Sequence, residues 1–405
     1  MKLLQGLLIV ICAFLFLECS ARGILTFRQD IQPEKTTWYR YSEELGWERN
    51  PGFVGIMEGK EIFVERENLR REFDSQGFAA EDSAQVANSR VPKILAIGDS
   101  STGGYGVPPD RSYAEQLDGM LPDMHVVNLG VMGYTSYHGV RVLEKYMPVL
   151  NPSLIIVSFN FNDRRYVLSP DAMDSEAKFR RNMDGHRFAT LQTLQQKVYL
   201  YRLLGGLMLK AGMIHDGDDA GKRAVDDLRT LRVRVPPDKY RENLIQMAEI
   251  GKAHKIPVIF LVLNDNPLHT QHLNRGLELF EKAQYDLAAR EFTIGVRTTN
   301  WYSDLAQKYL AKVYEKQNAS DDVMKIVRIR QRESSIHGGY PLYRDVEYND
   351  IMRSVAREYA VPLVDAGHIV EPSMYLDHCH PDERGHKVIA DLLYSAVKDV
   401  MAKGG

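Results

Sequence analysis

The sequence predicts an α/β fold in which a parallel sheet is covered by helices on both faces. Short β-rich runs recur at residues 94–97, 126–129, 154–159, 257–263 and 362–364. They are almost wholly apolar, as strands buried on both faces must be. Amphipathic stretches lie between them, clearest at 240–254 and 346–359, as crossover helices require. In such sheets ligands sit at the carboxyl ends of the strands, so the residues just after each run matter most.

The chain has 405 residues, enough for two or three domains on length alone. Its 44% hydrophobic content supports a sizeable core. Fifty-one Lys and Arg face 54 Asp and Glu, a net charge of -3. That balance lacks the basic excess of a nucleic-acid binder, and no nucleic-acid partner is expected. Three cysteines cannot build a disulfide framework, and Cys12 and Cys19 fall in the leader.

The elements follow in order. Residues 1–21 open with Lys2 and an apolar run over 3–17, shorter than the ~20 residues that span a bilayer. A charged start, a short apolar run and then Cys19-Ser20-Ala21 describe a secretory signal cut after Ala21. An uncleaved membrane anchor is the alternative, and a buried helix the third reading. The first two place the body outside the cytoplasm, periplasmic or secreted. Residues 22–92 read as an irregular extension packed on the core through Trp38, Tyr39, Tyr41, Trp47 and Phe53. The main domain is expected over 93–401.

The first strand runs into Gly98-Asp99-Ser100-Ser101-Thr102-Gly103-Gly104. A serine at a strand end, at the start of a helix, is placed as a nucleophile with free N–H groups near an oxyanion. A plain N-cap turn fits the segment equally well. No Gly-Lys-Ser/Thr follows, so a phosphate loop is disfavoured. Gly-x-Ser-x-Gly is absent too, against an α/β-hydrolase elbow. The second strand is followed by Gly130-Val131-Met132-Gly133, where glycines permit close backbone approach to a ligand, although taken alone a simple turn is the favoured reading. The third ends Asn160-Phe161-Asn162-Asp163, where side-chain amides can donate to a developing charge; taken alone, an Asx turn is the favoured reading.

Two stretches interrupt the rhythm, at about 164–237 and 269–339. The first holds a helix-like segment, 191–213, whose apolar patch reads as a buried face because Arg202 and Lys210 break it. In the second, Ala283, Tyr285, Ala288, Phe292, Leu310, Ala311 and Tyr314 have helical-hairpin spacing. This run resembles a single tetratricopeptide-type unit, but stacking needs about three, so a helical insertion packed on the main domain is favoured.

Near the C-terminus stands Asp377-His378-Cys379-His380-Pro381, then Gly385-His386. Asp377 and His380 can form a carboxylate–imidazole pair, the carboxylate fixing the tautomer. A metal held by His378, Cys379, His380 and His386 is the rival, but the spacing fits no zinc pattern. No metal and no cofactor is expected, and His378, Cys379 and His386 read as structural.

Taken together, the four segments resemble the SGNH (GDSL) hydrolase family. The first block matches at Gly98-Asp99-Ser100, the second at Gly133, the third at Asn162-Asp163 and the last at Asp377 with His380. The resemblance covers 93–163, 240–266 and 346–401. It implies a flavodoxin-like three-layer sandwich with a five-stranded parallel sheet, here carrying helical insertions. It implies Ser100, His380 and Asp377 as triad, and an oxyanion hole from Ser100, Gly133 and Asn162. One departure stands out: Asn160 occupies the position where the family usually has glycine. Gly46-Trp47, Pro51-Gly52 and the 104–109 tail look like the secreted or membrane-anchored branch.

The implied function is a serine esterase or deacylase acting on O-acyl groups of envelope carbohydrate or lipid. An O-acyltransferase using the same serine is the alternative, and a non-catalytic scaffold binding through the helical insertion is another. Membrane attachment through the N-terminus and a protein partner on the insertion complete the expected associations.

Overall fold

A computed structural model describes residues 16–18, 20, 39–42, 44–49, 54–61, 64–72, 91–167, 173–175, 178, 232–298, 303–317 and 345–404. The chain divides into two units, Met1–Thr37 with Phe179–Arg223 and Trp38–Lys178 with Ala224–Gly405. In the first unit only residues 16–18 and 20 are described, and they are helical. The remainder of the leader and the 191–213 segment lie outside the described residues. No helix among the described residues is long and apolar enough to cross a membrane.

The second unit carries the sheet. Its strands are β5 (Lys93–Gly98), β6 (His125–Asn128), β7 (Leu154–Ser158), β10 (Val258–Val262) and β11 (Leu363–Asp365). All neighbours are parallel, in the spatial order β11-β10-β7-β5-β6. Numbered along the sheet's own strands this is 2-1-3-4-5, the flavodoxin-like order. All five expected strands are present, each displaced by no more than two residues at either end.

Alternate residues of each strand feed two separate cores, because side chains alternate across a strand. Leu95, Ile97, Val127, Ile155, Val157 and Phe260 face one layer of helices. That layer is α2 (Ser136–Leu150), α3 (Pro237–Ala253) and α7 (Asp345–Glu358), which contribute Leu143, Leu244, Met247 and Met352. Ile94, Ala96, Val126, Ile156, Ile259 and Val364 face the other layer. There α1 (Tyr113–Met120) and α8 (Glu383–Gly404) supply Leu117, Ile389 and Leu393.

Among the described residues, the helical insertion contributes α4 (Pro267–Glu281), α5 (Tyr285–Thr298) and α6 (Ser303–Lys316). It has its own core, in which Leu273, Leu277, Ala288, Phe292, Leu305, Ala306 and Val313 are buried. Phe292 packs so closely that a Cβ on Gly276 would lie 2.5 Å from its ring. Two expectations are corrected here. Ala283 is not helical but turns the chain between α4 and α5 at φ 56°. On α6 the buried residues are Leu305, Ala306 and Val313 in the core, with Leu310, Ala311 and Tyr314 only half-buried. The first interruption begins and ends on one antiparallel pair, β8 (Tyr166–Val167) against β9 (Arg232–Val233).

The extension before the sheet is not irregular throughout. Residues Tyr39–Ser42 (β1) and Gly46–Arg49 (β2) form an antiparallel hairpin, and Val54–Glu61 (β3) pairs with Val64–Glu72 (β4). β4 reads VERENLRRE, a sequence too charged to signal a strand by apolar alternation. The turn into β2 is permitted by Gly46 at φ 77°.

Candidate active site

The loops after β5 and β10 meet the 377–380 loop through hydrogen bonds, and the loop after β7 meets the loop after β5. Ser100 follows β5, and its Oγ lies 2.8 Å from Nε2 of His380. Nδ1 of the same ring is 2.6 Å from Asp377 Oδ2. The other Asp377 oxygen accepts the backbone N–H groups of Cys379 at 2.9 Å and His380 at 2.7 Å. Asp377 is therefore committed in orientation before it meets the imidazole. The Tyr105 ring leans on His380 with centroids 4.5 Å apart.

Ser100 does not open a helix, contrary to the sequence reading. Its loop is a series of turns with Gly103 N–H donating to Asp99 O and Tyr105 N–H to Ser100 O, both at 2.9 Å. Gly104 and Gly106 adopt φ of 71° and 75°, and Pro108 and Pro109 follow, so a helix cannot propagate. A single 3-10 turn at Pro109–Arg111 comes next, and the first α-helix after β5 begins only at Tyr113. Gly98 is required by packing: a Cβ there would sit 2.0 Å from Thr102 Oγ1 and 2.6 Å from Ser158 O.

The second loop is fixed against the first through backbone. A Cβ on Gly130 would lie 2.3 Å from the Gly103 nitrogen. The Gly130 N–H donates to Asn128 Oδ1 at 3.0 Å, and Gly133 adopts φ 80°. In the third loop Asn162 is buried, and its Nδ2 donates to Asp99 Oδ2 at 3.2 Å. Asp99 Oδ1 accepts the Ser101 N–H at 2.9 Å. Burial pushes the Asp99 carboxyl up from its ordinary value, against the Ser101 hydrogen bond and the nearby His380, which pull it down. Asp99 thus ties the serine loop to the asparagine loop, a role its capping chemistry did not reveal.

Asn160 has a use for its amide. It accepts from Arg164 Nε at 2.5 Å and donates to Asn349 Oδ1 at 2.6 Å. Arg164 is fully buried and reaches Asp265 Oδ2 at 2.5 Å. Asn266, beside Asp265, donates through Nδ2 to the Asp377 carbonyl at 3.1 Å, and its N–H to the His378 carbonyl at 2.8 Å. The polar chain from Asn160 through Arg164 to Asp265 thus ends beside the His380 loop. No sequence signal marked Arg164 or Asp265.

Asp163 is fully buried, accepting from Ser136 N–H at 2.9 Å and Ser136 Oγ at 2.6 Å. Burial pushes its carboxyl up to about 7. Burial also drives the His378 imidazole down to about 3 and the Cys379 thiol well up. Among the described residues, Asp377, His378 and Cys379 form a group whose potential metal-ligating atoms lie within 4.8 Å of one another. Those of Asp377 already serve two backbone N–H groups and His380, and a buried thiol held protonated is a poor ligand. His386 belongs elsewhere, its Nδ1 accepting the Tyr113 N–H at 3.1 Å.

A serine, an imidazole and a carboxylate thus stand in hydrogen-bonded series at the carboxyl end of a flavodoxin-like sheet, an arrangement that suits nucleophilic acyl chemistry. Residues 96–322, more than half of the chain, match the GDSL-like lipase/acylhydrolase family, and the chain belongs to it. The matched stretch holds Ser100, Gly133 and Asn162 and stops ahead of Asp377 and His380. An arylesterase of Vibrio mimicus is 29% identical over 82 residues, 19% of this chain and 41% of that protein. The chain therefore spans about two fifths of that relative's length. Among solved structures, TesA is similar at 14% identity and a TM-score of 0.37, covering 76% of this chain and 98% of that one. The psychrotrophic esterase EstA from Pseudoalteromonas sp. is similar at 11% identity and a TM-score of 0.35, covering 76% and 98%. The fold assignment rests on the strand order described above.

Proposed function

We propose that this protein is an extracytoplasmic serine esterase or deacylase that hydrolyses O-acyl esters, with envelope carbohydrate or lipid as the substrate class. The observation that carries the reading is the continuous series Ser100 Oγ, His380, Asp377 at 2.8 and 2.6 Å. Ser100 Oγ attacks the ester carbonyl while His380 Nε2 takes its proton. Collapse of the tetrahedral intermediate breaks the bond to the leaving oxygen, which His380 protonates. Water, deprotonated by the same imidazole, then releases the acid and regenerates Ser100. Asp377 holds the Nδ1–H tautomer and stabilises the imidazolium.

The oxyanion is received by the N–H groups of Ser100 and Gly133 and by the Asn162 amide. An asparagine amide has two N–H bonds. One goes to Asp99, which leaves the second for the oxyanion. The extracytoplasmic location is supported by the leader pattern over residues 1–21, which would also provide any membrane attachment. The root of the helical insertion supports a part in substrate choice, since Asn266 both caps α4 and holds the loop of His378. A protein partner on that insertion is a separate expectation of the same element.

The test is hydrolysis of aryl acetate and acetylated polysaccharide by the protein and by Ser100→Ala and Asn162→Ala. Release of free acid, abolished in the first variant and reduced about 100-fold or more in the second, supports the reading. Acyl label delivered to a glycan with little free acid would replace hydrolysis by transfer. Full activity in Ser100→Ala would end both.

A further inference from the structure

The peptide group joining Met132 to Gly133 has two polar ends. Its N–H belongs to Gly133, one of the three donors in the proposed oxyanion hole. Its carbonyl belongs to Met132, and it accepts a hydrogen bond from the Trp47 indole Nε1 at 3.2 Å. Trp47 lies on β2, 85 residues earlier in the chain. We infer that Trp47 is a positioning residue of the oxyanion hole, placed there by the N-terminal hairpin. This rests on the esterase reading above and deepens it.

Three observations support a role beyond packing. First, a donor on the carbonyl end polarises the peptide and strengthens its N–H, an effect of about 10–30% per bond in a chain of hydrogen bonds. Second, both peptides flanking the Gly133 Cα are held, because Arg234 Nη1 donates to the Gly133 carbonyl at 2.7 Å. A glycine at φ 80° has many alternative conformations, and these two bonds select one. Third, the hairpin is itself docked on this loop. Arg49, two residues along β2, donates to the carbonyls of Asn128 at 2.9 Å and Gly130 at 2.7 Å. The intervening Glu48 pairs instead with Lys145 of α2 at 2.6 Å. The alternation of a strand thus sends Trp47 and Arg49 to the loop and Glu48 to the helix. Tyr134 completes the seat, its hydroxyl donating to the Trp47 carbonyl at 2.6 Å.

The variant to make is Trp47→Phe, which keeps an aromatic ring and deletes the N–H. Losing a whole oxyanion donor costs about 100- to 1000-fold in kcat, and here the donor stays but is weakened and less well aimed. The expected result on an aryl ester is a fall in kcat of about tenfold, with KM within about twofold. Affinity for a boronic acid that forms a tetrahedral adduct should fall in parallel. A purely structural role would not single out kcat and the tetrahedral adduct. An unchanged kcat, or a loss carried by KM, overturns the inference. If Trp47→Phe does not fold, 3-benzothienylalanine at position 47 preserves the shape without the N–H, and the same results decide. Ser100→Ala run alongside separates the two failures. Hydrolysis persisting there sinks the esterase site, whereas hydrolysis lost there with a wild-type rate in Trp47→Phe sinks only the role of Trp47.

Discussion

Asp377→Asn changes one atom and should cost nearly the whole reaction. In the protein, Oδ1 of Asp377 accepts two backbone N–H groups, from Cys379 at 2.9 Å and His380 at 2.7 Å. An asparagine must keep its carbonyl oxygen there, because an NH2 group would face two donors. Forfeiting both bonds would cost about 3 kcal/mol, a preference of roughly a hundredfold. The NH2 group is then fixed against Nδ1 of His380, where the carboxylate stood at 2.6 Å. Nδ1 must become an acceptor, so the ring proton moves to Nε2, which faces Ser100 at 2.8 Å. An Nε2–H can donate to Oγ but cannot take its proton. The imidazolium also loses its counter-charge. A tautomer trapped in this way lowers kcat by about 10,000-fold, roughly 5.5 kcal/mol of barrier. The assay is steady-state hydrolysis of an aryl acetate with thermal unfolding as the control. An Asp377→Asn protein that is folded and works within tenfold of wild type would refute the reasoning.

The remaining predictions concern buried polar groups. Asp163 is pushed from 3.8 to about 7 by burial, so the folded state holds its proton more tightly than the unfolded chain. That contribution is complete below about pH 4 and lost as pH rises to about 7, worth about 4 kcal/mol at about 1.4 kcal/mol per pH unit. Asp163→Asn should flatten the fall in stability over that window, measured by urea unfolding at several pH values; an unchanged slope counts against it. His138 runs the other way. Burial lowers it to about 3, so its contribution to stability is lost as pH falls below about 6.5, and His138→Gln should soften acid unfolding. Asn160→Gly restores the family's residue but removes the Asn160 Oδ1 to which the buried Arg164 Nε donates. A destabilisation of about 3 kcal/mol is expected, and a neutral effect would mean the asparagine is incidental.

The sheet was legible because parallel strands buried on both faces are continuous apolar runs, and 94–97 or 154–159 offer little else to read. Ser100, Gly133, Asn162, Asp377 and His380 lie after strands or in the last loop, but position alone leaves turn readings open, and the resemblance to the SGNH (GDSL) family is what singles them out. What escaped depends on pairs far apart in sequence. Asn162 and Asp99 are 63 residues apart, and Trp47 and Met132 are 85 apart. Arg164 and Asp265 look like ordinary loop charges until the fold buries them. Asp99-Ser100 has capping chemistry and so reads as a helix start, while Gly104, Gly106 and Pro108 keep a helix from forming just beyond. β4 escaped for the opposite reason: its alternating charges hid a strand.

The most direct measurement of the central claim is intact mass after treatment with a fluorophosphonate, which labels activated serines. The account predicts one adduct on the protein and none on Ser100→Ala. The adduct should form far more slowly on Asp377→Asn. No adduct on the folded protein, or an adduct that survives Ser100→Ala, would contradict it.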